Sequence, residues 1–185
     1  MRFFRTILTG VFLLCATAVF GQQCGTQEIH DSLMLDNISY RTSYLKSEAS
    51  LYDNTDVKSK TQEEHIIPIV VHIIHMGQPI GTGDNHSRAQ IDTAIKGINE
   101  RFNGKYGVGA NSGIQFKLAT INPDGCPTDG ITRSDFRKLP INPNGRTEYT
   151  YKIPTSWGNT KYYNIWVIND NLTSLLGFAY YPKND

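Results

Sequence analysis

The run His65-Ile66-Ile67-Pro68-Ile69-Val70-Val71-His72-Ile73-Ile74-His75 constrains the fold of this chain more than any other segment. Its β-branched residues have restricted χ1 freedom and suit a pleated strand better than a helix. The apolar–polar alternation of a half-exposed strand is missing, so both faces need cover, as in the central strand of a layered sheet. Pro68 has no N–H for a ladder and belongs near the strand's start. Met76-Gly77-Gln78-Pro79 closes the run.

A covered strand needs partners, and the sequence after it supplies them. Ser87 and Gln90 stand at capping-box spacing and open a helix. Ile91, Ala94, Ile95, Ile98 and Phe102 form its apolar stripe, and Asn103-Gly104 ends it. Ile114, Phe116 and Leu118 alternate with Gln115 and Lys117, the pattern of a half-buried strand. Asn122-Pro123-Asp124-Gly125 and Asp129-Gly130 are turn clusters. The polar stretch from Ser134 to Asn159 reads as mostly loop. Tyr162 to Ile168 is an aromatic and β-branched strand, and Leu175 to Tyr181 is the last one. The order strand, helix, strand, long loop, strand, strand predicts an α/β (α+β) fold. Its twisted sheet is mixed or parallel, with a backing helix on one face.

Residues 1–21 read as an export signal. Arg2 and Arg5 precede an apolar, uncharged stretch from Ile7 to Phe20, and Val19 and Gly21 suit a cleavage site before Gln22. The stretch is shorter than the roughly 20 apolar residues of a membrane span, so the expectation is a secreted protein without stable membrane association. Leu13 and Leu14 before Cys15 do not suit lipid attachment. Cys24 and Cys126 remain after export, which permits a disulfide but not a disulfide scaffold. Residues 22–64 are polar, a weakly structured extension in which Ile29, Leu33, Met34, Leu35, Tyr40 and Leu45 suit short helical turns. The net charge of +1 is dispersed, which argues against nucleic acid or an anionic membrane as partner.

Few residues offer chemistry. His72 and His75 stand three apart on a strand and point to opposite faces, whereas zinc needs ligands converging at about 2 Å. They read as histidines partly buried against sheet neighbours, and His30 and His86 as solvated. There is no Gly-x-Ser-x-Gly elbow, and neither remaining cysteine has a histidine close by in sequence. Asp129 and Asp135 flank a turn and read as surface carboxylates. The glycines of Gly104 to Gly109 follow a helix, not the strand that a phosphate cradle requires. Asn37, Asn85 and Asn171 each begin a glycosylation pattern.

Taken in order, several segments resemble the pappalysin (cytophagalysin) family of metzincin zinc peptidases. They are Cys24-Gly25-Thr26, Ile67 to Ile74, Gln90 to Asn99, Ile114 to Ala119, and Pro123-Asp124-Gly125 with Thr128 to Arg133. Tyr163 to Val167 and Leu176-Gly177-Phe178-Ala179 with Pro182 complete the series.

The resemblance implies that residues 65–185 are the upper half of a metallopeptidase-like domain and residues 22–64 its pro-segment. It further implies zinc and a peptide or protein substrate for the full-length enzyme. Leu175, Leu176, Gly177, Phe178 and Ala179 would be the edge strand that pairs with substrate, Gly177 admitting its backbone closely. Cys24 would hold the zymogen latent by giving a thiolate to the zinc. The family's His-Glu-x-x-His is nowhere in the 185 residues, so the resemblance implies an N-terminal fragment, inactive as it stands, with no catalytic or metal residue of its own. A second reading is a short secreted protein that holds peptide or glycan with its sheet edge and Tyr149, Tyr151, Trp157, Tyr162 and Tyr163.

Overall fold

The computed structural model describes residues 23–53, 64–105, 107, 111–141, 147–169 and 175–181. The expected export signal, the turn material from Asn54 to Lys60, the Asn171 pattern and Pro182 lie outside them. In chain order the elements are β1 (Gln23–Cys24), α1 (Thr26–Asp36), α2 (Ile38–Asp53), β2 (His65–His75), α3 (Arg88–Phe102) and β3 (Ile114–Leu118). They continue with β4 (Ile131–Asp135), a 3-10 turn (Phe136–Lys138), α4 (Thr147–Thr155), β5 (Tyr163–Ile168) and β6 (Leu175–Gly177). The chain divides into two compact units, Val57–Asp170 on the one hand and Met1–Asp56 with Asn171–Asp185 on the other.

The larger unit is an α/β layer structure around a twisted open parallel sheet. β2 is its centre, as its uninterrupted apolar run predicts. β2 pairs with β3 from His65↔Ile114 to Ile69↔Leu118, and with β4 from Val71↔Ile131 to His75↔Asp135. It pairs with β5 from Ile69↔Tyr163 to Ile74↔Ile168. A strand has two edges, and β5 overlaps both other registers, so β3 and β4 lie end to end along the edge opposite β5. Each ladder is parallel, one of the two arrangements open to the sequence.

The join between β3 and β4 explains a glycine. The chain leaves the sheet edge after Ala119, whose amide donates to Ile69 O at 2.8 Å, and returns at Gly130, whose carbonyl accepts from Val71 N at 2.9 Å. The excursion is closed by Thr128 N to Thr120 O at 3.0 Å and by Cys126 N to Asn122 Oδ1 at 2.8 Å. Gly130 has φ +73°, and a Cβ there would lie 2.8 Å from Ala119 N. Only glycine fits so close to another backbone at a left-handed φ.

Pro68 is placed by the same ladder. His65 donates to Gly113 O, and Ile69 O accepts from Ala119, so odd-numbered residues of β2 face the β3–β4 edge. The missing N–H of Pro68 therefore faces the β5 side, one residue before that pairing begins at Ile69.

Helices cover both faces. On one, Val71, Ile73 and Ile91 form a buried cluster with Ile95, Leu118, Ile131 and Val167 packed around it. Full burial of such side chains stabilises by about 1.5–3 kcal/mol each. α3 begins at the expected capping box: Ser87 Oγ accepts from Gln90 N at 3.3 Å, and Gln90 Oε1 accepts from Ser87 N at 2.8 Å. Asn99 ties the helix to β3 by donating to Phe116 O and accepting from Phe116 N, each at 2.8 Å.

The other face is covered by a helix that sequence reading assigns to loop. α4 carries Glu148, Thr150 and Tyr151 buried, and Pro154 stands at its second-last position. A proline there removes one hydrogen bond near the end of the last turn, where little helix remains to lose. Trp166 Nε1 donates to Thr155 Oγ1 at 2.9 Å and fixes the helix end to β5. Ser134 to Asp135 likewise completes a strand, not a loop.

The smaller unit holds the extension. α1 and α2 extend the expected helical turns to 11 and 16 residues, yet packing is sparse: α1 buries no residue, and Leu35, Ile38 and Leu45 remain exposed. Asn37 joins the helices, accepting from Tyr40 N on its side-chain oxygen at 2.9 Å. The last strand is shorter than expected, three residues, and its partner is β1 in a parallel two-stranded ladder.

Candidate functional site

The sheet centre holds a buried histidine with both nitrogens committed. His72 Nδ1 lies 2.7 Å from Thr132 Oγ1, and Nε2 lies 2.9 Å from Asn164 Oδ1. Asn164 is oriented by Trp157: its Nδ2 donates to Trp157 O at 2.9 Å, and its Oδ1 accepts from Trp157 N at 2.8 Å. A carboxamide oxygen only accepts, so Nε2 carries the imidazole proton and Nδ1 accepts from the Thr132 hydroxyl. The ring stacks on Trp166 at 5.1 Å and meets Trp157 edge-on at 6.2 Å. Burial pushes the His72 pKa down, opposed by its hydrogen bond to Asn164. His72 is thus a neutral structural group, fully rather than partly buried.

His75 is half-buried, and its Nδ1 accepts from Gly77 N at 2.9 Å. Among the described residues no group of three or more His, Cys, Asp or Glu is placed to hold a metal ion. These residues do not fit the zinc that the family resemblance implies.

At the carboxyl end of β2 a loop is fastened by side chains. Arg133 Nη1 donates to Asn85 Oδ1 at 2.5 Å and to His86 O at 2.7 Å. Asn85 donates to Gln78 O at 2.7 Å and is only 4% exposed, so its glycosylation pattern is sterically closed. His86, expected to be solvated, is half-buried. The carboxylates Asp129 and Asp135 take different partners. Asp129 lies 3.5 Å from Arg88, whereas Asp135 accepts from Arg137, which holds its carboxyl down to about 2. They form no acid–base pair.

The edge strand drawn from the resemblance is already paired. Gln23↔Leu175 and Cys24↔Gly177 are in register around a bulge, and Gly25 N donates to Gly177 O at 2.9 Å. Ala179 N donates to Thr26 Oγ1 at 3.0 Å. Phe178 and Ala179 lie just beyond the strand. The close approach expected at Gly177 falls at Gly25: a Cβ there would meet Leu175 Cδ1 at 2.5 Å, while nothing lies within 4 Å of one at Gly177. The Cys24 thiol is exposed, 3.2 Å from Thr26 Oγ1, and that hydrogen bond lowers its pKa. Cys24 and Cys126 are both free, exposed thiols.

The aromatic residues of the second reading are largely used in packing. Tyr151 is buried, Trp157 packs on His72 and on Tyr162 at 5.0 Å, and Tyr162 donates to Ile121 O at 2.9 Å. Tyr149 and Tyr163 are more exposed, at 39% and 52%.

The fold is therefore a parallel α/β layer with a small helical unit bearing a strand pair. No family model and no curated protein matches the chain. Among solved structures it is similar to a promirolysin mutant of Tannerella forsythia, at 24% identity and TM-score 0.60, over 85% of this chain and 53% of that one. That likeness is one of fold. Mirolysin in complex with compound 9 matches at 29% identity and TM-score 0.47, over 60% of this chain and 44% of that one. Mature mirolysin of Tannerella forsythia in complex with a cleaved peptide matches at 28% and 0.46, over 60% and 45%. The chain spans about half the length of the solved chains it matches.

Proposed function

We propose that this chain is the pro-segment and upper half-domain of an exported zinc metalloendopeptidase of the pappalysin type, in its latent form. The observation that carries this reading is the parallel ladder of β1 on β6, sealed by the Gly25 amide on the Gly177 carbonyl at 2.9 Å. A strand edge offers amides and carbonyls to any extended peptide. Here the residues that the resemblance assigns to substrate binding are held by the segment that it assigns to latency. The shared fold with a proenzyme agrees with that arrangement.

In this reading Leu175 to Ala179 are the peptide-binding rim, and Cys24 is the thiolate that blocks the metal. Its exposure and lowered pKa suit a thiolate ligand. The zinc and the groups that activate water belong to residues outside those described, and this chain alone is inactive. Tyr149 and Tyr163, the exposed members of the five aromatics in the second reading, do not by themselves define a glycan surface.

The test compares the full protein carrying this segment before and after removal of residues 22–64. Peptide cleavage that is abolished by a chelator, restored by zinc and confined to the shortened form is the expected result. Equal cleavage by both forms, or cleavage untouched by the chelator, overturns the reading.

A further inference from the structure

The hold of β1 on β6 is too slight to maintain itself. Two residues are paired, and the register is broken by a bulge between them. An isolated two-stranded ladder is marginal even when several residues longer. α1, which continues from β1, buries no residue of its own. Something beyond the ladder must fix residues 23–30 against residues 175–181.

The fastening runs in three steps along both segments. Gly25 meets Gly177 through the backbone, and Thr26 Oγ1 receives the Ala179 amide at 3.0 Å. The third step is aromatic. His30 of α1 meets Tyr181 with ring centroids 4.6 Å apart, edge-on at 70°. The same imidazole meets Tyr44 of α2 at 4.6 Å, and its Nδ1 lies 2.9 Å from the Tyr40 hydroxyl. Tyr44 in turn stacks on Tyr40 at 6.4 Å and meets Tyr181 at 5.9 Å. His30 and Tyr44 each touch the other three rings, so α1, α2 and the segment after β6 converge on one box. Edge-on aromatic pairs are favourable beyond the area they bury.

We propose that this His30–Tyr40–Tyr44–Tyr181 box is the latch of an autoinhibitory contact: it makes occupation of β6 by β1 depend on the α1–α2 hairpin. With the box closed, Tyr181 is carried by α1 and α2, and the Gly25–Gly177 and Thr26–Ala179 bonds form within a pre-set geometry. With the box open, the short ladder dissociates, and β6 becomes available to another extended peptide. The latch rests on the reading of β6 as a peptide-binding edge.

Hydrogen exchange followed by mass spectrometry on the full chain tests the latch. In His30→Ala and Tyr181→Ala, amides of residues 23–26 and 175–179 should exchange at least tenfold faster than in the parent, while those of β2 to β5 keep their rates. Tyr181→Phe keeps the ring and should behave as the parent. If His30→Ala melts α1 and α2 throughout, Tyr181→Ala decides alone, since it removes a ring from outside the helices. Unchanged exchange at 23–26 and 175–179 in Tyr181→Ala overturns the latch. A fluorescein-labelled peptide of residues 22–27 then probes the edge and should bind the opened variants at least tenfold more tightly than the parent. Faster exchange without peptide binding leaves the latch standing and removes β6 as a peptide edge.

Discussion

His72 Nε2 lies 2.9 Å from Asn164 Oδ1, and the amide of Trp157 reaches the same oxygen at 2.8 Å. One carboxamide oxygen thus sets the tautomer of the buried imidazole on β2 and ties β5 to the segment that follows α4. Replacing it has a definite cost.

Asn164→Leu leaves the Nε2–H of His72 and the N–H of Trp157 without their acceptor. Each unsatisfied donor costs about 1–3 kcal/mol, the Trp157 amide less because that residue is only half-buried. The expected loss is about 2 kcal/mol of stability. Urea unfolding followed by tryptophan fluorescence reads it, and a midpoint equal to the parent's would refute the role given to Asn164.

His72 also gives stability a pH dependence. Its folded pKa is depressed by burial below the ordinary 6.5, so below about pH 6.5 the unfolded chain binds the extra proton first. Stability is present above that pH and falls as acid is added, by up to about 1.4 kcal/mol per pH unit. His72→Asn should flatten this part of the profile in thermal unfolding between pH 5 and 7. A slope that persists in the variant would assign the dependence to another group.

Gly130 and Gly177 should respond oppositely to alanine. A methyl at Gly130 meets Ala119 backbone at 2.8 Å with φ +73°, which predicts a loss of about 2 kcal/mol or more. At Gly177 nothing lies within 4 Å, and the change should stay within about 0.5 kcal/mol. Thermal melts of both variants distinguish them, and equal melting points would contradict the close approach between β3 and β4.

Thr26 lowers the Cys24 pKa through hydrogen bonds from its side chain and backbone. Thr26→Val removes the side-chain bond and should move the midpoint of Cys24 alkylation by iodoacetamide to higher pH. The reaction at Cys126 serves as internal control. A Cys24 profile that does not move would exclude the Thr26 hydroxyl as its cause.

Asp135 is held at about 2 by Arg137. Arg137→Ala should return its titration, followed by carboxyl NMR, toward the ordinary carboxylate range. Since its folded pKa is depressed, the stability that Asp135 contributes is present above about pH 4 and is lost as pH falls toward 2. An unshifted titration would leave the depression to other groups.

Local signals were legible where the physics is local. The β-branched run of β2, the Ser87–Gln90 box and the Asn103-Gly104 stop depend on residues within one turn or one strand. The candidate rim was legible as a strand but not as a pair, because nothing in Leu175 to Gly177 names β1 as its partner. The His30 box was invisible for the same reason: His30 and Tyr181 are 151 positions apart in sequence.

From its sequence alone, then, the chain determined a covered central strand, a capped helix behind it and a small net charge, all properties of neighbouring residues. Only tertiary structure decided that Ile131 to Asp135, with one aliphatic residue among five, forms a strand along β2, and that a segment with Pro154 at its second-last position forms a helix. It also decided that β6 is paired with β1. In each the stabilisation comes from partners far along the chain, so the segment's own composition carries little trace of it.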